Sequence, residues 1–220
     1  MSVDPTHPEP LVAFADLMRQ LRSACAWKAE QTHTSLTRYL VEEAYETLEA
    51  IELGEATGDW SHLREELGDL LLQVYFHGVV AEGNGEFTLD DVARDIHAKM
   101  VRRNPHVFAG VDAEGLTPEA INDLWQAAKA REKAEKAVQS QEPARGSALD
   151  RLPSGLPALL AADKVLDRTA RAGQPLDLTG AAESPDVGDR LLALVAEAAA
   201  EGVDPEQALR DALRRRLPPA

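Results

Sequence analysis

Five carboxylates in two short runs are the side chains best suited to do chemistry. The run EEAYE supplies Glu42, Glu43 and Glu46, and the run EELGD supplies Glu66 and Asp69. At about 100° per residue, the first three point into a sector of about 100° on one helix, and the last two lie about 60° apart on the next. Two antiparallel helices can therefore direct all five carboxylates at one another.

The residues that flank these acids are mainly leucine, valine and isoleucine, which favour burial. Carboxylates that cluster in apolar surroundings repel one another unless cations neutralise them. Hard divalent ions accept carboxylate oxygens, and Mg²⁺ combines a few carboxylates with water and phosphate oxygens. The pattern therefore predicts a Mg²⁺ site, with Mn²⁺ as the other possible ion. A strip of solvated acids is the simpler alternative for one run, and the second run argues against it.

A polar stripe continues beyond the second acidic run. Glu66, Asp69, Gln73 and His77 lie within about 80° of one helix that is otherwise covered with apolar side chains. This stripe must face polar groups. The histidines show no zinc-type HExxH pair, and we interpret most of them as surface or capping residues; they are His33, His62, His77, His97 and His106.

Basic residues near the end of a later helix are candidates for binding phosphate. Lys99, Arg102 and Arg103 are spaced i, i+3 and i+4, and Lys129 lies on the next predicted helix. Pairing with the helix dipole is the alternative explanation for each of them. Beside a carboxylate-bound metal, such cations would hold a departing pyrophosphate.

Helical periodicity recurs along the chain and alternating β-branched runs do not, so we predict an all-α fold. The segment SACAWKAEQTHT, residues 23–34, is expected to be irregular. Five helices are predicted before residue 140: Leu11 to Arg22, one capped by Thr34 or Ser35 and stopped by Gly54, one from Ser61 broken by Gly83 and Gly85, one capped by Thr88 with Asp91, and one from Thr117-Pro118.

Composition divides the chain into four predicted parts. Residues 1–10 form a disordered tail, 11–139 a helical module, 140–155 a Pro/Gly/Ser linker, and 156–220 a shorter helical region. In the last region, Asp186 and Asp189 repeat the spacing of Glu66 and Asp69, which suggests a modest internal repeat.

Charge and composition exclude several classes of protein. The net charge of -15, from 23 Lys+Arg against 38 Asp+Glu, disfavours nucleic acid as a partner. Cys25 is the only cysteine, which excludes an internal disulfide and a multi-cysteine zinc site. No run of 18 apolar residues and no signal-like N-terminus occur, so we expect a cytoplasmic protein without a membrane partner.

Several motifs taken together carry a family resemblance. They are CAWKAEQT from Cys25 to Thr32, the two acidic runs, KMVRRNPHVF from Lys99 to Phe108, and SALDRLPSGLPAL. The sequence resembles the MazG family of nucleoside triphosphate pyrophosphohydrolases over roughly residues 10–172. The resemblance implies an all-α helical bundle that assembles as a dimer. It also implies Mg²⁺-dependent hydrolysis of NTPs or dNTPs to monophosphate and pyrophosphate, for nucleotide-pool house-cleaning.

The resemblance also assigns roles by position. It implies that the metal ligands are Glu43, Glu46, Glu66 and Asp69, and that Glu42 supports them or the attacking water. Trp27 and Gln31 fall in the segment expected near the base. Lys99 and Arg103 match phosphate-contacting positions, and Trp125 with Lys129 matches a helix that helps to close the site.

The sequence departs from the family pattern in two places. Ala26, Lys28 and Ala29 stand where the family usually has Pro, Asp and Lys, which leaves base and sugar selectivity open. In the C-terminal region, QPLDLTGAAESP stands where a first acidic helix is expected. We therefore predict a degenerate, non-catalytic second module at 156–220 and a catalytic module at 11–139.

Two other functions remain compatible with the residues. The chain could be a non-catalytic helical scaffold or regulatory protein whose acidic face binds a partner. It could also be a pyrophosphohydrolase restricted to a modified nucleotide or a phosphoribosyl nucleotide.

Overall fold

The structure is a computed structural model that describes residues 9–110, 115–140 and 152–217. Within these ranges the chain forms helices and no strand, which confirms the all-α fold class. None of the helices in these ranges is long and apolar enough to cross a membrane. The helices are α1 (Pro10–Ala24), α2 (Ala26–Glu30), α3 (His33–Thr57), α4 (Ser61–Asn84), α5 (Leu89–Arg103), α6 (Pro105–Phe108), α7 (Pro118–Ser140), α8 (Ala158–Arg171), α9 (Val187–Ala200) and α10 (Pro205–Arg216).

The chain divides into two compact units, one that ends at Arg131 and one that begins at Glu132. The division falls inside α7. Residues 1–8 of the predicted tail and residues 141–151 of the predicted linker lie outside the described residues. The predicted domain limits therefore stay predictions.

An antiparallel helical hairpin, α3 and α4, is the centre of the first unit, and α1 and α5 pack against α4. The core contains Met18 of α1, Leu36 of α3 and three residues of α4, and all five are almost fully buried. Aromatic and leucine side chains surround this cluster: Phe14, Leu21, Tyr39, Leu72, Tyr75 and Leu89. The core is therefore mainly aliphatic, and it fixes how the two long helices face each other.

The turn between α3 and α4 differs from the prediction that Gly54 stops the first helix. α3 continues to Thr57, and Gly58 ends it in the left-handed conformation at φ 76°. A Cβ atom at Gly54 would lie 2.4 Å from the ring of Trp60. The absence of a side chain at Gly54 thus lets Trp60 pack directly on the helix, which sets the geometry of the turn.

The start of α3 also differs from the prediction of a cap at Thr34 or Ser35. Thr32 is the N-cap: its hydroxyl accepts a hydrogen bond from the Ser35 N–H at 3.1 Å, and the Ser35 hydroxyl accepts one from the Thr32 N–H at 2.9 Å. The preceding segment, expected to be irregular, contains the short helix α2. Cys25 is the single residue between α1 and α2.

Other predicted helix ends agree with the structure. The predicted capping box of Thr88 and Asp91 begins α5, and Pro118 is the first residue of α7. Gly85 ends α4 in the left-handed conformation at φ 73°, whereas Gly83 lies inside the helix. These positions follow local backbone rules, which explains why the sequence alone locates them.

The second unit contains α8, α9 and α10, which pack against one another, with Val195 buried. Asp186 is the N-cap of α9, and its carboxylate accepts a hydrogen bond from the Asp189 N–H at 3.1 Å. Glu66 and Asp69 lie inside α4 instead. The two acidic pairs therefore share a spacing but occupy different places in their helices.

Candidate functional site

Three carboxylates from the hairpin converge at one point. Glu43, Glu46 and Glu66 each offer a ligand atom, and these atoms lie within 4.8 Å of one another. Glu43 and Glu46 are one turn apart on α3, and the antiparallel packing brings Glu66 of α4 opposite them. Glu66 is only 8% exposed, whereas Glu46 is exposed, so the cluster spans the boundary between core and solvent.

Burial and nearby negative charge both act on the carboxyl of Glu43. Burial raises the pKa of the Glu43 carboxyl above its usual value, and the charges of Asp69, Glu46 and Glu66 raise that pKa further. Asp69 therefore lies close enough to act on the cluster. Glu42 is exposed and lies outside the three-carboxylate group. All five predicted acids are on one hairpin, and their roles stay predictions.

Polar side chains on both helices lie next to the carboxylates. The Thr47 hydroxyl is buried; it donates to the Glu43 carbonyl at 2.8 Å and lies 3.5 Å from the Glu66 carbonyl. Nδ1 of His62 lies 3.4 Å from Oε1 of Glu66. The contact between Thr47 and the Glu66 carbonyl joins α3 to α4 beside the acids, whereas the His62 contact lies within α4.

Gln73 continues the polar stripe predicted on α4. Its side chain is 5% exposed, and Nε2 lies 3.5 Å from Oε1 of Glu43. Its Oε1 is buried and finds no hydrogen-bond partner within the described part of the chain. The prediction that this stripe faces polar groups therefore agrees with the structure.

A pair of histidines lies at the other end of the stripe, and His77 differs from the interpretation of most histidines as surface or capping residues. His33 and His77 are both half-buried, their rings are parallel, and their Nδ1 atoms lie 2.8 Å apart. Nε2 of His33 lies 3.6 Å from a carboxylate oxygen of Glu86. Burial lowers the pKa of His77, and the adjacent His33 lowers it further. The pair links the start of α3 to the second half of α4.

The donor set fits a hard divalent ion. All ligand atoms of the three-residue group are carboxylate oxygens, which Mg²⁺ and Mn²⁺ prefer, and the group lies partly open to solvent. Burial and the neighbouring carboxylates both raise the pKa of Glu43, so positive charge placed at this point would favour the ionised carboxylate. A divalent cation would supply that charge, with Glu43, Glu46, Glu66 and the nearby Asp69 as its holders.

Trp27 and Gln31, the residues expected near the base, lie on and just after α2. The Trp27 ring packs edge-on against Tyr39 and Phe76, with ring centroids 6.3 Å away in each case, and it stays 49% exposed. Gln31 folds back and donates through Nε2 to the Trp27 carbonyl at 3.0 Å. Because Tyr39 lies one turn before Glu43 on α3, the aromatic group is adjacent to the acids.

The predicted phosphate-side residues form a second group at the end of α5 and on α7. The guanidinium of Arg103 lies 4.9 Å from the ring centroid of Trp125, and the ammonium of Lys129 lies 5.2 Å from it. Lys99 and Arg102 lie on the last turns of α5. The structure thus brings three of these five residues together, and their contact with phosphate stays a prediction.

Sequence reasoning overlooked several residues that shape the site. Thr47 and the histidine pair had no recognisable motif, although the helical stripe through Gln73 and His77 indicated a polar partner. Arg22 was also overlooked; its guanidinium donates to two carbonyl groups of the segment that carries Trp27. The one signal in the sequence that points to Arg22 is its place just before the segment 23–34, which lacks a helical pattern.

Comparison with known proteins identifies a common family. Residues 31–108 match the MazG nucleotide pyrophosphohydrolase domain. The nucleoside triphosphate pyrophosphohydrolase of Mycobacterium tuberculosis is 44% identical over 177 residues, which cover 80% of this chain and 49% of that protein. That of Escherichia coli K12 is 39% identical over 163 residues, which cover 74% and 57%.

A Thermotoga maritima protein is matched over most of its length. It is named nucleoside triphosphate pyrophosphohydrolase/pyrophosphatase MazG, and it is 35% identical over 223 residues, which cover 92% of this chain and 80% of that protein. The chain spans only about half the length of the mycobacterial relative. The matched domain contains all five acids and the α5 cations, and it leaves out Trp27, Trp125 and Lys129.

Proposed function

This chain belongs to the MazG nucleotide pyrophosphohydrolase family, and we propose that it hydrolyses NTPs or dNTPs at the bond between the α and β phosphates. Water adds to the α phosphorus, and the bridging oxygen leaves with the β and γ phosphates. The products are a nucleoside monophosphate, pyrophosphate and a proton. The convergence of Glu43, Glu46 and Glu66 within 4.8 Å is the observation that carries this proposal.

In this proposal, Glu43, Glu46, Glu66 and Asp69 hold Mg²⁺, with Mn²⁺ as the alternative. When bound, the ion supplies positive charge to polarise the phosphate and to offset the charge of pyrophosphate. The four carboxylates fix the position of the ion's positive charge, and the triphosphate is oriented toward it. Glu42, exposed beside them, accepts a hydrogen bond from the attacking water and orients it toward the α phosphorus.

In this proposal, the segment that carries Trp27 and the cations of α5 and α7 bind opposite ends of the nucleotide. Trp27 offers a half-exposed indole for stacking on the base, and Gln31 holds the backbone beneath it. The cations bind the departing pyrophosphate, because charge-assisted hydrogen bonds to phosphate are strong. This group comprises Lys99, Arg102, Arg103 and Lys129, with Trp125 beneath Arg103 and Lys129.

The protein is proposed to act as a homodimer that removes unwanted nucleotides from the cytoplasmic pool. Large apolar side chains are exposed along α3, the helix that carries Glu43 and Glu46; they are Leu40, Val41, Tyr45, Leu48 and Ile51. A second copy offers the same stripe, and two identical stripes can close around a two-fold axis. Leu48→Lys is therefore expected to produce monomers in light scattering. A wild-type monomer at micromolar concentration would contradict the dimer.

The reaction is tested with purified protein, Mg²⁺ and a panel of canonical and damaged dNTPs, with monophosphate, pyrophosphate and inorganic phosphate resolved by anion exchange. Equal amounts of monophosphate and pyrophosphate are expected. In ¹⁸O-labelled water, the label is expected in the monophosphate, because water attacks the α phosphorus. Glu46→Ala removes a proposed ligand and is expected to abolish turnover, whereas Glu49→Ala changes an exposed acid on the same helix and is expected to leave turnover unchanged.

Three outcomes would contradict the proposal. Release of a diphosphate and inorganic phosphate would place cleavage at the other anhydride bond. Full turnover by Glu46→Ala would remove the acid cluster from the reaction. No turnover of any nucleotide would favour the scaffold hypothesis and a search for a protein partner.

A further inference from the structure

The short helix α2 is held by one arginine from α1. Arg22 lies half-buried in the last turn of α1. Its Nη1 donates one hydrogen bond to the Lys28 carbonyl and another, 2.9 Å long, to the Gln31 carbonyl. Both bonds are charge-assisted, and they reach across the single residue, Cys25, that separates α1 from α2.

The carbonyls that Arg22 binds belong to a helix end that has few other partners. The last carbonyl groups of a helix have no N–H group one turn ahead to bind. Among the backbone groups of the described residues, the Gln31 N–H is the donor to the Lys28 carbonyl, at a long 3.4 Å. A five-residue helix is unstable by itself, because helix nucleation is unfavourable. Arg22 therefore adds two hydrogen bonds at the end of α2, where the helix has lost its own.

The segment held in this way carries the aromatic surface beside the acids. The Trp27 ring contacts Tyr39 of α3 and Phe76 of α4 at its edges. Gln31 is fixed at both ends of its amide, because Nε2 donates to the Trp27 carbonyl and Oε1 accepts from the Ser35 hydroxyl at 2.8 Å. Movement of α2 would shift the indole relative to both long helices, and therefore relative to the carboxylates.

We propose that Arg22 is a positioning residue for nucleotide binding: it fixes the 26–31 segment so that Trp27 meets the base while the carboxylates meet the phosphates. The proposal rests on the proposed function. Arg22 itself touches neither base nor phosphate in this account. Its loss weakens binding of the nucleotide in ground state and transition state alike, which raises KM and leaves kcat unchanged.

The test compares Arg22→Met with Arg19→Met. Arg19 lies one turn earlier on α1 and forms ion pairs with Asp16 and Glu82. Its variant therefore also removes a partly exposed, paired arginine from the same helix. Arg22→Met is expected to raise KM about tenfold, which corresponds to about 1.4 kcal/mol, with kcat within about twofold of wild type. Arg19→Met is expected to leave KM unchanged. The Mg²⁺ concentration for half-maximal rate is expected to stay the same in both variants.

A spectroscopic measurement tests the clamp without activity. The chain has three tryptophans, so 5-fluorotryptophan labelling gives three ¹⁹F resonances, of which Trp27 is assigned with Trp27→Phe. Arg22→Met is expected to shift and broaden the Trp27 resonance alone. In Arg22→Ala, added guanidinium is expected to restore that resonance and lower KM, whereas tetramethylammonium is not, because it cannot donate hydrogen bonds.

The outcomes separate this proposal from the proposed function. An unshifted Trp27 resonance in Arg22→Met, or a fall in kcat with constant KM, would overturn the positioning role even if wild type hydrolyses nucleotides. A wild-type protein without turnover would overturn the proposed function and with it the role of Arg22 toward nucleotide. The ¹⁹F spectrum would then still report whether Arg22 orders α2.

Discussion

Replacing Glu43 with glutamine is expected to stabilise the metal-free protein while it removes activity. The carboxyl of Glu43 is partly buried beside Glu46 and Glu66, and Asp69 adds further negative charge. Because folding raises the pKa of Glu43, ionisation at neutral pH opposes the folded state. Glutamine keeps the shape of the side chain and removes the charge.

The distances give the size of the effect. Two unit charges 4.8 Å apart repel by about 0.9 kcal/mol in bulk water and by about 3.5 kcal/mol at an effective dielectric constant of about 20. Glu46 is exposed and follows the lower figure more closely, whereas Glu66 is nearly buried and follows the higher one. We expect Glu43→Gln to gain about 1–3 kcal/mol in the presence of a chelator, with about 2–4 °C in Tm for each kcal/mol.

The assay is thermal and urea unfolding in EDTA and in Mg²⁺, with Glu49→Gln as the control for a charge change on an exposed part of α3. Without metal, Glu43→Gln is expected to be more stable than wild type, and Glu49→Gln is expected to match wild type. With Mg²⁺, wild type is expected to gain stability and Glu43→Gln to gain less, because ligand binding stabilises the folded state. A Glu43→Gln variant that is less stable than wild type in EDTA would refute the reasoning.

Three further predictions concern other parts of the fold. Burial lowers the pKa of His77 below its ordinary value of 6.5 in the folded protein, so the unfolded chain takes up a proton first as the pH falls. The free energy of unfolding is therefore expected to fall below pH 6.5, and His77→Gln is expected to make this fall smaller. Urea titrations at several pH values check this, and the same pH dependence in wild type and variant would contradict it. A Cβ atom at Gly78 would lie 2.3 Å from Leu89, so Gly78→Ala is expected to lower the free energy of unfolding by about 1–3 kcal/mol in guanidinium titrations. Gly83 is on the same helix with nothing within 4 Å of such an atom, so Gly83→Ala is expected to raise that free energy by up to about 1 kcal/mol. The opposite order would show that Leu89 moves freely. Asp186→Ala removes the N-cap of α9 and is expected to lower the free energy of unfolding by about 0.5–2 kcal/mol, with nucleotide turnover unchanged. A loss of turnover in this variant would argue for a catalytic second unit.

The sequence predicted the parts of the fold that depend on local rules. The capping box of Thr88 and Asp91 and the proline at the start of α7 were located because each signal acts within a few residues. Gly54 was misread as a helix stop because its role is set by the Trp60 ring, which lies beyond the turn. Propensity alone cannot distinguish a glycine that ends a helix from one that admits a neighbour.

The acid cluster was predictable for a related reason. Glu43, Glu46 and Glu66 lie on a hairpin, so helical spacing and antiparallel packing suffice to bring them together. The histidine pair depends on contacts between the first turn of α3 and a position far along α4, and no local pattern reports such a contact. The same holds for Arg22, whose partners were hidden in a segment without a helical pattern in the sequence.

The placement of the acid cluster on one hairpin has a consequence for the order of folding. Contacts between residues close in sequence form early, because closing a short loop loses little chain entropy. We therefore expect the carboxylates of α3 and α4 to meet before α5 joins the unit, so that their mutual repulsion opposes an early step of folding. A divalent cation that binds the nascent hairpin would offset this repulsion, and we expect it to raise the folding rate as well as the stability of the folded protein.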